Sequence, residues 1–235
     1  MDLHRDSGKT ARAPVILDRL AEELPDARIA LSFSNQWELL VATILSAQCT
    51  DKKVNEVTAT FFPRYPGPRA IAAAPIEALE EHLRPTGFFR QKSKNIQAAA
   101  RHVIEHHDGQ VPGTMEELLQ LPGVARKTAN VVLSNGFGRN DGVVVDTHVG
   151  RISIRLALTR NTDPVKIERD LQRLVPRERW LQVSDLFIHH GRRTCIAQRP
   201  ACDACVVEDL CPSSQIAGRR DKWRAARRVM ARPLP

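Results

Sequence analysis

Apolar residues recur along much of the chain at the three- and four-residue spacing of amphipathic helices. One such run comprises Trp37, Leu40, Val41, Ile44 and Leu45. It predicts a helix that begins after Asn35 and ends near Gln48. Asn35 and Glu38 have the spacing of a capping box, in which side chains satisfy the first backbone N–H groups of a helix.

Start and stop signals predict further helices and no sheet. Two of the predicted helices span about 93 to 107 and 125 to about 134. Four others are predicted from their start signals, which are Pro75, the capping box of Thr114 with Glu117, Asp146 and Asp163. The short run 143–145 is the one candidate strand, although a buried connector fits it equally well. The Pro-rich stretch 63–68 indicates a loop between helices. The pattern as a whole predicts an all-α fold.

Composition is ordinary for a globular protein. The 235 residues are 42% apolar and 26% charged, enough for one body or two lobes. No apolar run is long enough to cross a bilayer, and the first residues lack the apolar core of a signal peptide. We therefore expect a cytoplasmic protein with no membrane partner.

The formal net charge of +8 suggests a polyanionic partner, but most of it lies at one end of the chain. Residues 213–235 contain seven Lys or Arg and one Asp, whereas the preceding 212 residues carry only +2. This tail is either a solvated end or a source of phosphate affinity that weakens with salt. Net charge alone therefore does not indicate whether the rest of the chain binds a polyanion.

Four of the five cysteines lie close together, at Cys195, Cys202, Cys205 and Cys211. Cytosolic thiols stay reduced, so this spacing indicates a metal centre rather than two disulfides. The unequal intervals of six, two and five residues favour an iron–sulfur cluster over zinc, which more often uses two Cys-x2-Cys pairs. Cys49 lies far away and is expected to be a small buried apolar residue.

The segment LPGVARKTANVVL joins two predicted helices through a turn at Gly123. Unpaired backbone N–H groups at such a helix start suit a phosphate oxygen, although simple helix capping gives the same pattern. Lys127 would lie in the first turn of the second helix, beside Arg126. It is either an ordinary exposed lysine or an amine nucleophile, and only the neutral amine would react.

Asp146 stands between an apolar run and a predicted helix, in the string VDTHV. The ordinary role of an aspartate there is to cap the helix. A carboxylate has several acceptor sites, so capping is compatible with a catalytic role. His148 is expected to be a structural hydrogen-bonding residue.

The hairpin, the VDTHV string and the cysteine spacing together resemble the endonuclease III family of helix-hairpin-helix, iron–sulfur DNA glycosylases. The resemblance runs from about Asn35 to Cys211. It implies a helix-hairpin-helix DNA glycosylase fold with a six-helix barrel lobe at 29–139. Residues 1–28 and 140–235 would form a discontinuous second lobe with the cluster, and the active site would lie in the cleft between the lobes.

The resemblance also assigns roles to individual residues. Lys127 matches the catalytic lysine of the family members that also act as lyases, and Asp146 matches the essential carboxylate. Gly123, Ala125 and Arg199 match positions that contact DNA phosphates, and Gln48 and Phe88 match side chains inserted into the duplex. The four clustered cysteines would hold a [4Fe-4S] cluster. The family usually has glycine at position 125, so Ala125 costs about 1 to 2 kcal/mol if its backbone is left-handed and little otherwise.

The implied activity is removal of oxidised or saturated pyrimidines, followed by cleavage of the abasic site by β-elimination. The implied partner is double-stranded DNA with damaged bases or abasic sites, bound by a monomer. Three alternatives remain: an adenine-type monofunctional relative, a non-catalytic iron–sulfur DNA-binding or redox-sensing protein, and a zinc-bearing structural module. Lys127 and the end of the chain at Pro235 argue against the first.

Overall fold

The computed structural model describes residues 3–216, and within them it contains eleven α-helices and no β-strand. The helices are α1 (Lys9–Glu23), α2 (Gln36–Leu45), α3 (Asp51–Arg64), α4 (Gly67–Ala73), α5 (Ile76–Leu83), α6 (Phe89–His106), α7 (Met115–Leu118), α8 (Arg126–Phe137), α9 (Thr147–Arg155), α10 (Pro164–Gln172) and α11 (Trp180–Arg193). Short 3-10 turns lie at Arg84–Thr86, Arg177–Arg179 and Cys202–Ala204. The predicted all-α fold is confirmed.

The chain divides into two compact units. The central unit is Ile29–Asp141, and the terminal unit combines the residues up to Arg28 with those from Gly142 onward. The boundaries predicted from the sequence were 29 and 139. The basic residues beyond position 216 lie outside the described part of the chain.

The core of the central unit is built around α2, which is buried on most sides. Eight of its ten residues are buried, as expected for a helix enclosed by others. Helices α6 and α8 pack against it, and α4 and α5 pack against α6. The unit contains seven α-helices rather than six, and α7 is a single turn of four residues.

The core of the terminal unit lies between α1, α9, α10 and α11 and reaches the cysteine segment. Arg12 on α1 is 3% exposed, and its guanidinium donates to the carbonyl oxygens of Leu156 and Leu210, both at 2.8 Å. These bonds connect the N-terminal helix to the end of α9 and to the segment that carries the cysteines.

Several predicted boundaries were wrong. The Pro-rich stretch 63–68 is not a loop, because Pro63 lies in the last turn of α3 and α4 begins at Gly67. Proline lacks only one backbone hydrogen bond near a helix end and is well suited to the first turn of the next helix. Helix α6 begins at Phe89, four residues before the predicted start, and α2 ends at Leu45 rather than near Gln48.

The run 143–145 is a buried connector rather than a strand. Val143 and Val144 are 1% and 6% exposed, and the backbone N–H of Val144 donates to Ser184 Oγ at 2.9 Å. A side-chain hydroxyl therefore satisfies a buried backbone group that a neighbouring strand would otherwise pair with.

In the part of the chain that the structure describes, no helix combines the length and the apolar character that crossing a bilayer requires.

Candidate active site and metal centre

The hairpin between α7 and α8 depends on glycine at position 123. Gly123 has φ +80°, a left-handed conformation that side chains rarely adopt, and a Cβ there would lie 2.8 Å from Asn95 Cβ and Nδ2. Only glycine therefore meets both conditions. The close contact with Asn95 on α6 fixes the turn immediately before α8.

Ala125 precedes α8 in an extended conformation, with φ −96° and ψ 169°. Its methyl group therefore causes no left-handed strain, and the second glycine of the family pattern is not required by the backbone. Its side chain makes no capping hydrogen bond to the start of α8. The start of a helix is in general suited to an anion, because its first N–H groups have no acceptor within the helix itself.

Lys127 is the second residue of α8, and its side chain is exposed. This residue therefore lies in the first turn of α8, four positions after Gly123. Both roles expected from the sequence, an ordinary exposed lysine and an amine nucleophile, fit this position.

Asp146 is the N-cap of α9. Its Oδ1 accepts hydrogen bonds from the backbone N–H groups of His148 and Val149, both at 2.8 Å. Both bonds use the same oxygen, so Oδ2 takes no part in the cap. The side chain is therefore fixed in orientation while one oxygen stays available for chemistry.

His148 is a neutral hydrogen-bond acceptor. Its Nδ1 lies 3.1 Å from a guanidinium nitrogen of Arg151, and because arginine can only donate, Nδ1 must accept. The same Arg151 nitrogen donates to the Gly191 carbonyl oxygen at 2.7 Å. Burial, together with the charges of Arg151 and Arg192, lowers the pKa of His148, although Asp146 opposes the shift. The expected structural role of His148 fits this geometry.

Cys195, Cys202, Cys205 and Cys211 line one cavity in the terminal unit. Burial raises the pKa of Cys202, and it raises the pKa of Cys205 and of Cys211 to about 12. Thiols in such surroundings ionise only when bound cations supply positive charge. The donor set therefore fits a metal cluster that all four could share. Within residues 3–216, however, no group of three or more His, Cys, Asp or Glu side chains has the arrangement of a metal-ion site.

Arg155 shapes the loop between the first two cysteines. It is 2% exposed, and its guanidinium donates to the carbonyl oxygens of Ile196 at 2.9 Å and Ala197 at 2.7 Å. A further bond at 3.1 Å reaches Cys195 Sγ. Arg199 lies on this loop with its side chain exposed, so a buried arginine orders the backbone that presents an exposed one.

Gln48 and Phe88 are both exposed and both have left-handed backbones, with φ 51° and 47°. Phe88 is 67% exposed, the largest fraction among the exposed large apolar side chains of the described residues. Glutamine and phenylalanine rarely adopt this conformation, so it must be imposed by the surrounding structure. An exposed aromatic residue with a left-handed backbone is a candidate for a binding function.

The family model described as HhH-GPD superfamily base excision DNA repair protein matches residues 41–177. An endonuclease III of Synechocystis is 52% identical over 213 residues, which cover 91% of this chain and 97% of that protein. The chain belongs to the endonuclease III family.

Solved structures of endonuclease III agree with this membership. A non-covalent endonuclease III–DNA complex superimposes with a TM-score of 0.84 at 40% sequence identity, covering 89% of this chain and 98% of that one. A trapped endonuclease III–DNA covalent intermediate gives the same TM-score and identity, covering 89% of this chain and 99% of that one. The predicted helix-hairpin-helix glycosylase fold is confirmed.

Within this endonuclease III fold, the central unit carries Gln48, Phe88, Gly123, Ala125 and Lys127. The terminal unit carries the remaining predicted site residues, which are Asp146, Arg199 and the four clustered cysteines.

Sequence reasoning missed the four lysine and arginine side chains that are buried among the described residues of this endonuclease III fold, which are Arg12, Lys92, Arg151 and Arg155. Lys92 occupies a position on the apolar stripe of α6 together with Ile96, Ala99 and Val103, yet it is only 4% exposed. A charged residue on an apolar stripe is a sequence signal for a buried polar contact. Arg151 and Arg155 lie four apart on α9 and carry the same kind of signal.

Proposed function

We propose that Lys127 is the nucleophile with which this protein removes a damaged base from double-stranded DNA and then cleaves the abasic site. As a member of the endonuclease III family, the protein is a DNA glycosylase and abasic-site lyase of base excision repair. The observation that carries the assignment is the exposed amine in the first turn of α8, directly after the Gly123 hairpin. The trapped covalent complex of a relative supports an enzyme nucleophile.

The chemistry requires one amine and one acceptor of protons. The neutral Lys127 amine forms a bond to the sugar C1′, and the C1′–N bond to the base breaks, with the base leaving as its protonated form. The attacking amine loses two protons, one of which neutralises the departing base while the other passes to the ring oxygen O4′ as the sugar ring opens, and this leaves a Schiff base. Removal of a proton at C2′ then breaks the C3′–O bond, and water releases the enzyme from the cleaved product.

Asp146 is the proposed partner of this reaction. Its carboxylate would stabilise positive charge that develops on the sugar as the base departs, or accept the proton of the attacking amine. The two hydrogen bonds to Oδ1 support the proposal, since they orient the group and leave Oδ2 for the substrate.

Gly123 and Ala125 are proposed to bind a DNA phosphate through the backbone N–H groups at the start of α8, and Arg199 to contact another from the cysteine loop. Such contacts position the duplex without reading its sequence. A base inside a duplex must also be extruded before it can react. We assign the insertion of side chains into the duplex to Gln48 and Phe88, whose exposure and left-handed backbones support that role.

A [4Fe-4S] cluster is the cofactor proposed for Cys195, Cys202, Cys205 and Cys211. When bound, it would supply the positive charge that keeps four partly buried thiolates ionised, and it would cross-link the segment that contains them. Arg155 would stabilise the Cys195 thiolate by its hydrogen bond to Sγ. Metal analysis decides between cofactors: about four irons per chain supports the cluster, and one zinc without iron contradicts it.

The experiment that tests the nucleophile is covalent trapping with borohydride on duplex DNA that contains an abasic site. The parent protein should form a stable complex with DNA, because borohydride reduces the Schiff base to an amine. Lys127→Ala should abolish trapping, whereas Lys166→Ala, which removes an exposed lysine of α10, should trap like the parent. If Lys127→Ala still traps, another amine is the nucleophile. A panel of oxidised and saturated pyrimidines would then define the lesion preference.

A further inference from the structure

Lys92 makes two hydrogen bonds that connect separate parts of the central unit. Its Nζ donates to the carbonyl oxygens of Leu45 and Thr86, both at 2.8 Å. The side chain is 4% exposed, and burial lowers the pKa of Lys92. A buried ammonium is tolerated only when its N–H groups find acceptors, so these two contacts are required rather than incidental.

The two carbonyl groups lie just before the proposed inserting side chains. Leu45 is the last residue of α2, three positions before Gln48, and Thr86 is two positions before Phe88. A cation at the end of α2 also meets carbonyl groups that no further helical turn can satisfy. One ammonium therefore anchors both segments at their starting points.

Both segments contain a residue that needs such an anchor. Gln48 and Phe88 have φ 51° and 47°, and a non-glycine residue remains in this conformation only where neighbouring structure imposes it. Thr86, buried in the turn before Phe88, is itself fixed by a 2.8 Å hydrogen bond from its Oγ1 to the Leu83 carbonyl oxygen. Lys92 links this turn to the end of α2.

We propose that Lys92 is a positioning residue that fixes the Gln48 and Phe88 segments relative to each other, so that both side chains can enter the duplex together. The inference rests on the proposed insertion role of those two residues. Lys92 itself is buried and does not touch the DNA. Its contribution is to keep the two inserting side chains in one arrangement before DNA arrives, which lowers the cost of ordering them on binding.

The test compares two abasic substrates, a duplex and a single strand, by the rate of borohydride trapping. Insertion is needed only for the duplex, since a single strand has no stacked nucleotide to extrude. Lys92→Met keeps a chain of similar length without the N–H donors. It should lower the rate on duplex DNA at least tenfold and change the rate on the single strand less than about twofold. Lys94→Met removes an exposed lysine of the same helix and should leave the ratio of the two rates unchanged.

A second background shows whether Lys92 acts through the inserting residues. In a variant that carries Gln48→Ala and Phe88→Ala, the ratio of the duplex rate to the single-strand rate should already be low. Adding Lys92→Met should not lower this ratio further. A purely structural lysine would reduce both rates in either background. Equal losses on the two substrates, an unchanged ratio, or a further fall in the double-alanine background would each overturn the inference.

The outcomes also separate this inference from the proposed function. If the double-alanine variant keeps the parental ratio, the insertion role is wrong and the role of Lys92 falls with it, whereas Lys127 is unaffected. If the ratio of the duplex rate to the single-strand rate falls in the double-alanine variant but not in Lys92→Met, only the Lys92 inference is wrong. Should Lys92→Met fail to fold, Lys92→Arg retains donors of different reach. It should lower the ratio in the same direction, and an unchanged ratio in that variant would overturn the inference.

Discussion

The guanidinium of Arg155 donates a 3.1 Å hydrogen bond to Sγ of Cys195. Arg155 also donates to the carbonyl oxygens of Cys195 at 3.2 Å and Ile196 at 2.9 Å, so it binds a cysteine side chain and the adjacent backbone at once. A cation next to a thiolate stabilises the charged form. This single arginine therefore supports both the proposed cluster and the loop that carries Arg199.

Replacing Arg155 with Met should weaken retention of the proposed cluster. The substitution removes the hydrogen bond to Cys195 Sγ and frees the 196–197 carbonyls, so the loop should loosen. We expect iron to be lost to a chelator at least several-fold faster than from the parent, followed by the loss of visible absorbance. Arg193→Met removes an exposed arginine two residues before Cys195 and serves as the control. Equal rates of iron loss in the three proteins would refute the role of Arg155.

Local sequence signals predicted the parts of the site that depend on neighbouring residues. Asp146 caps a helix because its side chain reaches N–H groups two and three residues ahead, a relation that the sequence alone contains. The spacing of the four cysteines predicted a shared metal centre, and all four line one cavity. The Gly123 turn was predicted from its place between two helices. The all-α fold was predicted from apolar periodicity, which also depends only on residues close together in the sequence.

Contacts between distant residues were not predicted. Lys92 bonds to Leu45, 47 residues away, and Arg151 bonds to Gly191, 40 residues away. No local pattern specifies which carbonyl a buried cation will meet, because the answer depends on how the helices pack. The left-handed backbones at Gln48 and Phe88 were missed for a related reason, since neither residue type favours that conformation.

We predict that replacing Gly123 with alanine impairs stability and DNA binding far more than exchanging Ala125 for glycine does. Gly123→Ala places a methyl group 2.8 Å from Asn95 at a φ of +80°, so we expect a loss of stability of about 1 to 2 kcal/mol from the backbone alone. Binding to a duplex with a stable abasic analogue should weaken, and the salt dependence of binding should change by the loss of about one phosphate contact. Ala125→Gly, at an extended position, should change binding little. Equal effects of the two substitutions would contradict this geometry.

Asp146→Asn should separate helix capping from catalysis. Asparagine retains an oxygen acceptor for the N–H groups of His148 and Val149, so the melting temperature should stay close to that of the parent. The negative charge is lost, and trapping and base release should fall by at least about a hundredfold if the carboxylate acts in the reaction. Asp146→Ala should lose activity and also about 1 kcal/mol of stability. An Asn variant with parental activity would reduce Asp146 to a structural cap.

Asp185 on α11 makes the folded state sensitive to pH. Burial raises the pKa of Asp185 from 3.8 to about 7, so between these values the folded protein binds more protons than the unfolded chain. Stability must then fall as pH rises through this interval. The stability that the protonated Asp185 carboxyl gives the folded state is fully present below the unfolded pKa of 3.8. It is lost as pH rises through the folded pKa near 7.

Asp185→Asn should remove this dependence, because the amide does not ionise. The advantage in stability of the variant over the parent should be smaller near pH 5 and grow to about 1 to 3 kcal/mol near pH 8, a range reduced from the full shift because the group is only partly buried. Urea unfolding at several pH values between 5 and 8 measures the difference, and Asp26→Asn, at an exposed position, is the matched control. A constant difference between Asp185→Asn and the parent across that pH range would show that the carboxyl does not titrate there. A gain that grew toward low pH would reverse the predicted sign and show that a partner stabilises the charged carboxylate in the folded protein.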